Sequence, residues 1–76
     1  MDKILDILLE ARPDVDFEQE DGLFDQGILD SFDIVSIISD LNDEFDINIR
    51  VNDLTGENFN SLATIQALVE RKKQEN

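Results

Sequence analysis

Between residues 31 and 45 the sequence SFDIVSIISDLNDEF repeats its apolar residues at the spacing of one helix face, and nothing within it breaks a helix. At about 100° per residue, Ile34, Val35, Ile37, Ile38, Leu41 and Phe45 fall on one side. Asp33, Ser36, Asp40, Asp43 and Glu44 fall on the other, as an acidic stripe. A single amphipathic helix cannot bury its apolar row alone, so the rest of the chain must supply the opposite wall of a core. Asp30 and Asp33 resemble a capping box, with an acceptor at the N-cap and an acid in the first turn where the helix dipole favours it. One residue breaks the pattern: Phe32 projects toward the polar side, directly after Ser31. Asp46 stands just past the helix end, where Gly or Asn is the usual occupant.

The rest of the chain provides that wall in short pieces. Ile4, Leu5, Leu8 and Ala11 sit at helical spacing, Asp2 is a cap for the start, and Pro13 turns Arg12 away from helix, which predicts a first helix over residues 2 to 11. From Pro13 to Asp30 runs a long acidic connection carrying Val15, Phe17, Leu23, Phe24, Ile28 and Leu29 without a sustained period. That many apolar residues predict an ordered loop held by hydrophobic contacts rather than a solvated linker. After the extended INIRV segment, whose one possible strand has no partner, Thr55 is placed to cap a short helix through Phe59. Asn60 or Ser61 then restarts the chain as a last helix, with Leu62, Ile65, Leu68 and Val69 inward and Arg71, Lys72 and Lys73 suited to its C-terminal dipole. The expectation is an all-α fold, a small four-helix bundle of three main helices and one short helix with a long first loop, formed by residues 1 to 76 as one domain.

Size and charge narrow what such a bundle does. A chain of 76 residues buries only about 60% of its unfolded surface, and with no cysteine and no histidine it has neither disulfides nor the common transition-metal sites. Nineteen acidic against six basic residues give a net charge of −13, which repels nucleic acid and anionic membranes and calls for partners with basic surfaces. The acid is concentrated early: residues 1 to 30 hold ten acids and two bases, 31 to 60 seven and one, 61 to 76 two and three. No apolar run is long enough for an integral membrane segment, and MDKILDILLE lacks the basic region and cleavage site of a signal peptide. A cytoplasmic monomer is expected.

The same inventory excludes autonomous catalysis. A nucleophilic Ser31 needs a base, and the six basic residues lie at 3, 12, 50 and 71 to 73. The acidic stretches DVDFEQED and DLNDEFD lack the sixth-position Gly and terminal Glu of a calcium loop, so no metal site is expected. Ser31 nonetheless stands at a helix mouth after a long loop, beside an exposed aromatic and above an acidic stripe. A phosphodiester attached there would meet the positive end of the helix dipole.

Over nearly its whole length the sequence resembles the acyl carrier protein family and its aminoacyl-carrying relatives, in LFDQGILDSFDIVSIISDLNDEFDINI, in DLTGENFNSLATIQALV and in its acidity. Asp30-Ser31-Phe32-Asp33 is similar to the family's Asp-Ser-Leu motif, with Phe where Leu or Met is commoner, and Arg50 stands where Pro often follows the Ile-x-Ile segment. The resemblance implies that Ser31 carries 4′-phosphopantetheine, covalently attached from coenzyme A by a separate magnesium-dependent phosphopantetheinyl transferase. The chain would then be a non-catalytic carrier, holding acyl or aminoacyl groups as thioesters for fatty-acid, polyketide or related biosynthesis. Its partner-binding face would comprise Asp30, Phe32, Asp33, Asp40, Asp43 and Glu44, which meet Arg and Lys on the loading and transferring enzymes. A D-alanyl carrier for teichoic acid is the second reading. An unmodified acidic adaptor is the alternative from another class.

Overall fold

The computed structural model describes residues 3–75 as helices and ordered connections: α1 (Lys3–Ala11), α2 (Ser31–Phe45), α3 (Gly56–Phe59) and α4 (Leu62–Glu75), with a 3-10 turn at Val51–Asp53. No strand occurs among the described residues, so the expected small helical bundle with a long first loop is the architecture observed. Asp2, expected as the first cap, lies outside the described residues.

α1 buries Ile4, Ile7 and Leu8, with Leu5 and Ala11 packed at the edge of the cluster. It stops where Arg12 donates its N–H to the Leu8 carbonyl at 2.9 Å, since Pro13 has no N–H to continue the ladder. The loop that follows is ordered by the residues that the sequence pointed to: Val15, Phe17, Leu23 and Leu29 are buried, and Phe24 and Ile28 pack against them. Its backbone closes on itself, with Gln26 N–H on the Gly22 carbonyl at 2.8 Å and Leu29 N–H on the Leu23 carbonyl at 3.0 Å. Gly27 sits at φ +70°, a conformation that a side chain would strain, and so permits the chain to reverse before α2.

α2 presents Ile34, Ile37 and Leu41 to the core, with Ile38 and Phe45 partly buried. Val35 does not join them and is 63% exposed. It lies about 100° from Ile34, on the flank of the row, and no described element covers that flank. The helix ends as expected at Asp46, left-handed at φ 53° and ψ 50°, whose N–H bonds the Asn42 carbonyl.

The next segment finds the partner that a lone strand would lack. The Asn42 side chain accepts the Ile49 N–H at 2.9 Å and thereby holds the extended chain while Ile47 and Ile49 enter the core. Past Arg50, the 3-10 turn leads to α3, a single turn that buries Phe59. Thr55 stands at the N-cap position with extended backbone, but its side chain makes no capping bond, contrary to expectation. Ser61 and Thr64 exchange the bonds that start α4: Thr64 N–H donates to Ser61 Oγ at 3.2 Å, and Ser61 N–H to Thr64 Oγ1 at 3.1 Å. α4 then buries Ile65, Leu68 and Val69.

Two polar fastenings bind these pieces together. Asn60 accepts the N–H groups of Phe24 at 3.1 Å and Asp25 at 2.9 Å, donates to the Asp25 carboxylate at 2.9 Å, and receives Leu23 N–H on its carbonyl at 2.9 Å. The α3–α4 junction is thus fixed to the long loop. Lys72 pairs with Asp53 at 2.9 Å, and Lys73 lies 4.9 Å from the Phe45 ring centroid, so these cations join α4 to its neighbours as well as serving its dipole.

Candidate functional site

The loop and the caps converge on the mouth of α2. Asp30 is extended, at φ −87° and ψ 178°, and its Oδ1 accepts the Asp33 N–H at 2.8 Å. Asp33 reciprocates by accepting the Asp30 N–H at 3.4 Å, which completes the capping box read from the sequence. On either side of the cap, Leu29 and Ile34 are both in the hydrophobic cluster, at 3% and 6% exposure, so the entry angle of the chain is fixed from the apolar side too. Ser31 is the first helical residue and is exposed; its hydroxyl has no hydrogen-bond partner among the described residues. Phe32, next to it, is 82% exposed, the most exposed large apolar side chain of the described residues.

Asp33 leaves the acidic stripe to which its helical phase assigned it. Its side chain is only 14% exposed and meets Arg12, whose Nη1 lies 2.9 Å from Asp33 Oδ2 and also donates to the Ile28 carbonyl at 3.0 Å. The rest of the Arg12 fork grips Asp14, Nε to Oδ1 at 3.1 Å and Nη2 to Oδ2 at 3.0 Å. The hydrogen bond from Arg12 holds the Asp14 carboxyl below its usual range, and the bonds from Asp14 and Asp33 in turn push the guanidinium above its already high value. Sequence reasoning assigned Arg12 no role beyond the end of α1. The signal was present, because it is the sole basic residue between Lys3 and Arg50 amid a run of acids.

The remaining residues assigned to the partner face, Asp30, Asp40, Asp43 and Glu44, are exposed. Glu44 pairs with Lys3 at 3.2 Å, and Asp40, Asp43 and Glu44 together line a shallow groove with Ile7 and Glu10. Among the described residues no group of three or more His, Cys, Asp or Glu is placed to hold a metal ion, and no described helix is long and apolar enough to cross a membrane. The chemistry on offer is therefore an exposed hydroxyl at a helix N-terminus, framed by one apolar ring and an acidic helix face.

Comparison with known proteins agrees with that geometry. Residues 2–71 match the family described as phosphopantetheine attachment site. The D-alanyl carrier protein of Lactococcus lactis subsp. lactis (strain IL1403) is 37% identical over 67 residues, covering 88% of this chain and 80% of that protein. The D-alanyl carrier protein of Lactobacillus acidophilus (strain ATCC 700396 / NCK56 / N2 / NCFM) is 30% identical over 73 residues, covering 95% and 92%. No solved structure matches the chain significantly. By that match the chain belongs to the phosphopantetheine-attachment family, generally non-catalytic carriers that hold their cargo on covalently bound 4′-phosphopantetheine.

Proposed function

We propose that Ser31 is the attachment point and that the cargo is an aminoacyl group, D-alanine, in the cytoplasm. The observation that carries the attachment is the Ser31 hydroxyl, exposed and unengaged on the first residue of α2. The residues present fit the group: a phosphodiester there faces the positive end of α2, and the carboxylate of Asp33 beside it is offset by Arg12. When bound, the group supplies a thiol on a long arm, which holds the cargo as a thioester.

This chain's own residues present and recognise. The capping box and the Leu29–Ile34 apolar support fix the backbone on both sides of Ser31, so that a separate transferase supplies all the chemistry to a hydroxyl in a defined place. Asp30, Asp40, Asp43 and Glu44 give a partner with a basic surface an electrostatic landing face, with Phe32 as the apolar contact at its Ser31 end. Exposed charges of this kind favour fast, salt-sensitive, short-lived encounters. Asp33 serves that face indirectly, through the cap and Arg12. The D-alanyl reading rests on the names of the similar proteins; loading for fatty-acid or polyketide synthesis is its competitor.

The test has two arms. With coenzyme A, magnesium and a phosphopantetheinyl transferase, the intact mass is expected to rise by one phosphopantetheine, mapped to Ser31, and Ser31→Ala is expected to stay unmodified with stability within about 0.5 kcal/mol of the parent. The added mass on Ser36, Ser39 or Ser61 would overturn the assignment, and no added mass would favour the adaptor. The modified protein is then offered to D-alanine- and fatty-acyl-activating enzymes with ATP, and preferential acyl loading would overturn the D-alanyl reading.

A further inference from the structure

We infer that Arg12 is a positioning residue for the modification of Ser31, a claim that rests on Ser31 being the attachment point. Arg12 touches three separate pieces of chain: Asp14 just past α1, the Ile28 carbonyl at the end of the long loop, and Asp33 in the first turn of α2. Asp33 Oδ2, the atom that Arg12 holds at 2.9 Å, is also the atom that accepts the Asp30 N–H at 3.4 Å. The peptide that delivers Ser31 into the helix is thus tied through one carboxylate oxygen to the guanidinium. A planar fork holding two carboxylates and a carbonyl has little freedom, so it sets the angle at which the loop enters α2.

Arg12 also sets the charge around the hydroxyl. Attachment forms the bond from Ser31 Oγ to the phosphorus on the pantetheine side of coenzyme A and breaks that phosphorus's phosphoanhydride bond, whose electron pair leaves with adenosine 3′,5′-bisphosphate, while the hydroxyl proton goes to a base of the transferase. The attacking oxygen approaches an anionic phosphate while Asp30 and Asp33 flank it in sequence. With Arg12 in place the Asp33 carboxylate is paired; without it Asp33 would join Asp30 in confronting the incoming phosphate uncompensated. Both effects act on the reacting geometry, whereas Asp40, Asp43 and Glu44, the landing face, do not contact Arg12. The consequence falls on turnover rather than on docking.

Steady-state modification by coenzyme A and transferase, followed by intact mass and peptide mapping, separates these contributions. Arg12→Ala is expected to lower kcat about tenfold with KM within twofold of the parent, and Arg12→Lys, which keeps the charge but loses the fork, to lower it about threefold. Lys72→Ala, which breaks the ion pair to Asp53 between α4 and the 3-10 turn, controls for lost stability alone and is expected to keep the parent kcat. Folded Arg12→Ala with parent kcat, a loss confined to KM, or an equal loss in Lys72→Ala would overturn the proposal. Should Arg12→Ala not fold, Arg12→Lys carries the test: a threefold lower kcat supports the role and an unchanged kcat overturns it. Added mass on another serine of the parent protein would instead refute the attachment reading, and Arg12 positioning with it.

Discussion

Truncating Phe32 tests the functional reading of the α2 face directly. The ring is 82% exposed, so less than a fifth of its surface is buried by the fold. A phenylalanine has about 150–250 Å² to bury, and at about 25 cal/mol per Å² that fraction is worth at most about 1 kcal/mol. Alanine recovers roughly half of it through its better helix propensity. Phe32→Ala is therefore expected to leave stability within about 0.5 kcal/mol of the parent. A partner that covers about a third of the ring loses about 1 to 2 kcal/mol of contact, a factor of about 5 to 30 in transfer rate at low carrier concentration. Ile37→Ala makes the opposite case, because Ile37 is fully buried. Its cavity is expected to cost about 2 to 4 kcal/mol, on the order of 10–30 °C in melting temperature for a domain of this size. Far-ultraviolet circular dichroism melts and transferase rates on both variants give the comparison. Phe32→Ala that melts as early as Ile37→Ala, with full transfer, would refute the assignment of the ring to the partner face.

Asn60→Ala removes three side-chain hydrogen bonds that fix the loop at Phe24 and Asp25, and is expected to lower the urea midpoint by the equivalent of about 1–3 kcal/mol; an unchanged midpoint would show that the loop is held by its apolar residues alone. With a net charge of −13, the melting temperature is expected to rise with ionic strength at neutral pH and with millimolar magnesium, and melts indifferent to both would mean that the acids are already compensated. The Asp53 carboxyl is held below its usual value of 3.8 by the Arg50 N–H and by Lys72, so its contribution is present above that pH and lost as pH falls through its folded-state value. The stability gap between the parent and Asp53→Asn is accordingly expected to be full at pH 6 and to close below pH 4; a gap constant down to pH 2 would exclude that linkage.

The sequence by itself determined what depends on neighbours along the chain. The apolar period of residues 31–45, the acid at both positions of the capping box, the proline that ends α1 and the apolar content of the long loop are local signals, and each element formed where they placed it. The exposure of Phe32 followed from helical phase, because its direction lies opposite the buried row whatever else packs there. The tertiary structure decided what depends on which wall the other elements build. Val35 and Asp33 flank the buried row on opposite sides; the chain left Val35 in solvent and folded Arg12 over Asp33, and no periodicity distinguishes those two outcomes. Asn42 reads as an unremarkable helix residue until the backbone N–H of Ile49, seven positions on, needs an acceptor, and Asn60 becomes the loop's anchor only because Phe24 and Asp25 are brought against it from 36 and 35 residues away. Side-chain partners of that kind are chosen by distance in space, and a one-dimensional pattern carries charge and period but not distance.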